Sequence, residues 1–158
     1  MSLYNMSRNV WGPPTWQLLH CMALKAKETI TPPQLQELKT IIERLVSNLP
    51  CPMCSGHAIS YFKANHYQRV QTIEQLQMFL FLFHNSVNSR IQKSLLTYED
   101  HLLLYRYMSI EQVVQNMFHV YQHMNSTNVT MMLYSFHRKN ILHDLHKYFK
   151  KNNQLFHL

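Results

Sequence analysis

Apolar residues recur along this chain at intervals of three and four, not two. That spacing lines up one side of an α-helix, whereas a half-buried strand would alternate. The stretch after Thr31 carries Leu35, Leu38, Ile41, Ile42, Leu45, Val46 and Leu49 as one stripe. Thr31 can cap this helix ahead of Pro32 and Pro33, which a first turn tolerates. Pro50 ends it, because proline cannot donate to the helical ladder and disfavours α geometry in the residue before it. The same reading predicts a helix from about Pro14 to Glu28 and another from about Pro52 to Asn65. A long one follows from Ile73 to Gln92, with Leu76, Phe79, Leu80, Phe83, Val87 and Ile91 as its stripe. A shorter helix around Tyr98 to Tyr107 completes a five-helix unit over residues 1–108.

Residues 109–158 form an extension. Ile110, Val113, Val114, Met117, Tyr121 and Met124 keep helical spacing, then comes a polar break, Asn125 to Thr130, and a last basic helix to about Phe149. The stripe from Ile110 to Met124 is too apolar to stand in water, so it is expected to cover the core or a second subunit. With only two glycines, Gly12 and Gly56, the chain has little material for hairpins, and the predicted class is all-α.

At 158 residues the chain can bury roughly 70% of its unfolded surface, so it needs no disulfide scaffold. Three cysteines cannot complete an all-Cys zinc site, and the close pair Cys51 and Cys54 leaves Cys21 without an intrachain partner. The net charge of +7 comes largely from the end of the chain, where Arg138, Lys139, Lys147, Lys150 and Lys151 cluster. No nucleic-acid motif accompanies them, so a solvated basic terminus is expected rather than a nucleic-acid partner. Residues Met1 to Val10 lack the apolar run of a signal peptide, and Met78 to Phe83 is too short to span a bilayer. A soluble, intracellular protein is expected.

The chemistry concentrates at Cys51-Pro52-Met53-Cys54. At a helix start this spacing brings two sulfurs within bridging reach, and the unsatisfied N–H groups and dipole there favour thiolate over thiol. Such a pair can cycle between dithiol and disulfide. Zinc would have to recruit Cys21 or His57, and the pairs His119/His123 and His143/His146 would each need a third ligand, so no metal site is assigned. An inert structural pair is the other reading of the cysteines. A pair that turns over needs an electron acceptor, which proteins usually take from a bound cofactor.

Three motifs stand in order: Trp11-Gly12-Pro13-Pro14-Thr15-Trp16-Gln17-Leu18-Leu19-His20, then the cysteine pair, then His84-Asn85-Ser86-Val87-Asn88-Ser89-Arg90-Ile91-Gln92-Lys93. In residues and in spacing the segment from Trp11 to Tyr107 resembles the Erv/ALR family of FAD-linked sulfhydryl oxidases, and among them the compact members carried by large DNA viruses. The resemblance implies a four-helix bundle cradling FAD, a short fifth helix and a homodimer. It implies a thiol oxidase that forms disulfides in protein substrates, passing electrons through Cys51 and Cys54 to FAD and on to oxygen, with hydrogen peroxide as product. It places Trp11, Gly12, Trp16, His20, Tyr61, His84, Asn88, Ile91 and Lys93 around the FAD, with Val87 packed beside it and Lys93 near the phosphates. Helical spacing agrees to the extent that Trp16 and His20 share a face, as do His84 and Asn88. Taken singly, the tryptophans and His84 are equally at home as core residues, and Lys93 as a solvated lysine.

The chain departs from longer relatives in lacking a second cysteine pair to serve as shuttle. Either a protein dithiol or a thioredoxin-like partner docks directly at Cys51, or Cys21 forms an intermolecular bond, unless it is a buried thiol. Resemblance to the viral members implies host cytoplasm or virion as the location. The contrasting function is a non-enzymatic helical interaction module with a structural disulfide.

Overall fold

The computed structural model describes residues 3–124 and 129–158, with the side chains of residues 8–124 and 138–158. Among them the chain forms seven α-helices: α1 (Leu3–Leu24), α2 (Pro32–Ser47), α3 (Pro52–Ala64), α4 (Ile73–Arg90), α5 (Tyr98–Tyr105), α6 (Ile110–Gln122) and α7 (Val129–Asn152). Single 3-10 turns lie at Tyr67–Arg69 and Asn153–Leu155. The only extended pairing among the described residues is an isolated bridge between Ala26 and Phe156. The all-α expectation holds, and no helix among the described residues is long and apolar enough to cross a membrane.

Local chemistry sets most boundaries. Thr31 and Gln34 form a reciprocal capping box, the Gln34 N–H donating to Thr31 Oγ1 at 3.4 Å and the Thr31 N–H to Gln34 Oε1 at 2.9 Å. Thr72, Thr97 and Ser109 cap α4, α5 and α6 through their hydroxyl oxygens. The predicted α2 stripe is buried throughout.

The first helix departs from expectation at both ends, running from Leu3 to Leu24 instead of Pro14 to Glu28. Pro13 and Pro14 lie inside it. They deprive the carbonyls of Asn9 and Val10 of their helical donors, but those two residues are exposed, so water can fill the vacancy. Its early end has a tertiary cause. The chain's last residues pair with Lys25–Lys27: the Lys27 N–H donates to the Leu155 carbonyl at 2.8 Å and the His157 N–H to the Lys25 carbonyl at 2.7 Å. Those bonds straighten a stretch that local propensity alone would leave helical.

Helix α1 packs against α4, α5 and α6, and α2 against α3 and α7. The apolar side of α6 (Ile110, Val113, Met117, Tyr121) and that of α7 (Ile141, Leu142, Leu145, Tyr148) join the core formed by α1–α4, and the buried cluster is continuous from Trp11 to Phe156. The extension therefore covers its own chain. Ion pairs from Arg44 to Asp144 and from Lys151 to Glu37 tie α7 to α2. Residues 125–128 of the expected polar break lie outside the described residues, and helix resumes at Val129.

Candidate active site

Pro50 and Pro52 bracket Cys51 and thereby fix where α2 stops and α3 starts. The Leu49 N–H donates to the buried Ser55 hydroxyl at 2.9 Å, which pins the connection onto the new helix. Cys51 takes the N-cap position, and the Cys54 N–H donates to Cys51 Sγ at 3.2 Å. The two cysteines form a disulfide. The helix start thus offers its free N–H to the sulfur of Cys51, where it favours a thiolate whenever the bond is open. Closing so short a loop constrains the unfolded chain by only about 2 kcal/mol. Opening it therefore leaves the fold standing, as a redox pair requires.

Cys51 is 7% exposed, and Cys54 is partly buried. Cys54 lines a cavity of about 520 Å³ walled by α1, α2, α3, α4, the segment after α4 and the end of α5. Of the residues singled out from the sequence, Trp11, Gly12, Trp16, His84, Asn88, Ile91 and Lys93 line this same cavity. His20, Tyr61 and Cys51 do not. Tyr61 stands behind the wall, its ring 5.2 Å from that of Phe83, which is itself a lining residue. His20 is fully buried and supports the wall from behind: its Nε2 lies 2.9 Å from His84 Nδ1. Trp16 stacks on His84 with centroids 3.8 Å apart and planes 8° from parallel.

Residues that the sequence did not single out complete the picture. Thr15 and Arg90 lie within the motifs themselves, and His57, considered from the sequence only as a zinc ligand, follows Cys54 at a helical interval of three, so spacing could have placed it here. Arg8 and Tyr105 carry no sequence signal, nor does His101, whose ring meets His20 edge-on at 4.3 Å. Burial and mutual repulsion hold His20 well below the usual imidazole range. Burial first, then the neighbouring His101 and Lys93, pushes His84 down to about 4, and burial alone does the same to His101. All three rings are neutral at neutral pH, so one nitrogen of the His20–His84 contact donates and the other accepts.

Arg8, Arg90 and Lys93 line the cavity, and none of its lining residues is acidic. Burial and the nearby Arg8 hold the Arg90 guanidinium below its ordinary range, so positive charge gathers on this side of the cavity. A methyl group placed on Gly12 would meet only Arg8 Cγ, at 3.9 Å, so free space borders Gly12. Aromatic walls, open backbone and a cluster of cations suit a planar ring system carrying phosphates. Among the described residues no group of three His, Cys, Asp or Glu side chains is arranged to hold a metal ion. Cys21 is buried, its thiol pushed up to about 11 chiefly by burial, so it is the inert alternative and not a docking thiol.

The segment after α4 reaches the cavity by two devices. Gln92 adopts a left-handed φ of 59°, turning the chain so that the Lys93 N–H donates back to the Asn88 carbonyl at 2.8 Å. Asn85 then clamps the segment: its Nδ2 donates to the Leu96 carbonyl at 2.8 Å and its Oδ1 accepts from the Leu96 N–H at 3.0 Å. Asn85→Ala removes both bonds and is expected to destabilise the protein by about 1–3 kcal/mol while freeing Lys93 and Ser94. Chemical denaturation together with amide exchange at Leu96 checks this, and unchanged protection there would refute it.

The sequence model of the Erv1 / Alr family matches residues 13–107. An FAD-linked sulfhydryl oxidase of African swine fever virus is 33% identical over 95 residues, spanning 60% of this chain and 79% of that protein. The same protein from a second isolate is 32% identical over the same shares of both chains. No solved structure shows significant similarity.

Proposed function

This chain belongs to the Erv1 / Alr family, and from that premise we propose that it is an FAD-dependent thiol oxidase that introduces disulfides into protein substrates and delivers the electrons to oxygen as hydrogen peroxide. The observation that carries the reading is the position of Cys54: one residue of a disulfide-bonded pair forms part of the wall of a cavity lined by two tryptophans and the cations Arg8, Arg90 and Lys93. FAD, when bound, supplies the two-electron acceptor that no side chain offers. Trp11, Trp16, Ile91 and the open backbone at Gly12 would hold its rings, and Arg8, Arg90 and Lys93 its pyrophosphate. His84 and Asn88 provide polar contacts, while His20 and Tyr61 fix the wall from behind.

The chain's own chemistry is thiol–disulfide exchange. A substrate thiolate attacks Cys51 Sγ, the Cys51–Cys54 bond breaks, and Cys54 leaves as a thiolate beside the cavity. A second substrate thiolate attacks the mixed disulfide and releases Cys51, so the substrate ends oxidised and the pair holds two electrons. The Cys54 N–H aimed at Cys51 Sγ stabilises the released thiolate. Cys51 is the more covered sulfur, so the docking protein, whether substrate or a thioredoxin-like carrier, must displace part of that cover.

A homodimer would not use the faces of α1 and α2 occupied here by α6 and α7. The apolar side chains left exposed on α4 and α5, Met78, Leu82, Leu103 and Leu104, support a contact there instead. The viral source of the relatives supports a site of action in host cytoplasm or virion, where a reducing thiol pool makes a dedicated oxidase necessary. The visible spectrum of the purified protein tests the function. Flavin bands near one per chain, with oxygen uptake on adding a dithiol, are expected; a folded, colourless protein that takes up no FAD would overturn it.

A further inference from the structure

Thr15 lies in the wall of the cavity and is 3% exposed. Its hydroxyl donates to the Trp11 carbonyl at 2.6 Å and also sits 2.6 Å from the phenolic oxygen of Tyr121 on α6. A hydroxyl has one proton and a carbonyl has none to give. The Thr15 proton is therefore committed to Trp11, and in the second contact Tyr121 is the donor. Burial keeps that phenol protonated far above neutral pH, so the donor is permanent. Behind it stands Arg138 of α7, also buried, whose charge acts on the phenol and whose Nη1 has no hydrogen-bond partner among the described residues.

The location matters because α1 is weakest here. Pro13 and Pro14 remove two rungs of its ladder within the turn that carries Trp11, Gly12 and Trp16. A helix short of backbone bonds does not hold its side chains in fixed positions unless something else does. The contact from Tyr121 through Thr15 to the Trp11 carbonyl supplies that restraint from outside the helix. Tyr121 and Arg138 both lie beyond residue 107, where the family match ends.

We propose that Tyr121, in the extension, is a positioning residue for the cofactor cavity, its phenol holding Thr15 and through it the α1 turn that presents Trp11 and Trp16. The inference rests on the FAD reading above. It makes the extension part of the cofactor-binding unit, and predicts that flavin retention depends on a residue that does not itself line the cavity.

The test uses the full-length flavoprotein. Tyr121→Phe keeps the ring and removes the donor; it is expected to speed flavin release, read by recovery of flavin fluorescence, by roughly three- to tenfold, and to alter the circular dichroism of the visible flavin bands. Thr15→Val should act alike. The double variant should release flavin no faster than the faster single, since both cut one chain of bonds. Val113→Ala, on the same helix, serves as the packing control and should lower the melting temperature without changing either flavin readout. Release from Tyr121→Phe at the wild-type rate overturns the inference while leaving the oxidase reading intact. So do single effects that multiply in the double variant, or a Val113→Ala effect on release equal to that of Tyr121→Phe. A wild-type protein that binds no flavin overturns both.

Discussion

Cys54→Ser is expected to reduce dithiol-dependent oxygen uptake on the order of a thousandfold or more, to background, while leaving FAD bound. Cys51→Ser should be equally silent, because the pair acts as a unit: without either sulfur there is no disulfide for a substrate to attack. The double substitution should therefore be no worse than either single one. The two variants part company in the visible spectrum. Cys54 lines the cavity, so removing its sulfur changes the surroundings of the flavin, whereas Cys51 does not line it and its loss should leave the absorption bands in place. Steady-state oxygen consumption and absorption spectra of the three variants provide the check. Residual turnover in Cys54→Ser above a few per cent would mean that electrons reach the acceptor by another route, and the assignment of roles within the pair would fail.

Much of this architecture is legible in the chain, and the part that is not has specific physical causes. The α2 stripe, the Thr31 cap and the stop at Pro50 are local effects, so they can be read one residue at a time. The beginning of α1 is not of this kind. Two adjacent prolines look like a helix start, yet exposure of the carbonyls they orphan lets the helix run through them. Its end depends on residues 155–157, more than a hundred positions away, which no local pattern contains.

The cavity divides in the same way. Trp11, Gly12, Trp16, His84, Asn88, Ile91 and Lys93 are legible through the resemblance of their motifs to a known family, whereas helical spacing alone places only Trp16 with His20 and His84 with Asn88 on shared faces. His101, Tyr105 and Tyr121 reach the site or its supports only through tertiary packing of helices whose own patterns say nothing about a cofactor. Arg8 shows a third situation: it lies one turn before Gly12 on a helix that was expected to begin after both.

Acid is expected to weaken this protein well before its carboxylates titrate, and the cause is the group of three buried histidines. In the unfolded chain His20, His84 and His101 take up protons near pH 6.5, whereas folding holds His84 and His101 at about 4 and His20 well below its ordinary range. Between those limits the unfolded state binds more protons than the folded one, so stability must rise with pH. The contribution is fully present above pH 6.5 and is lost as the pH falls toward 4. For a single ring moved from 6.5 to about 4 it amounts to about 3 kcal/mol, and the three are coupled, since the first proton taken up repels the next. In a domain of this size such a loss lowers the melting temperature by roughly 10 °C between pH 7 and pH 4.5. His101 offers the way to isolate the effect, because its Nδ1 is buried without a partner among the described residues. His101→Phe keeps an aromatic edge against His20 while removing both a titrating group and an unsatisfied polar atom. It should raise stability at neutral pH by about 1–3 kcal/mol and flatten the acid limb. Thermal melts from pH 7.5 to 4.5 on both proteins measure the two slopes. A wild-type melting temperature that stays level across that range, or a variant slope as steep as that of the wild type, would show that these rings do not govern acid stability.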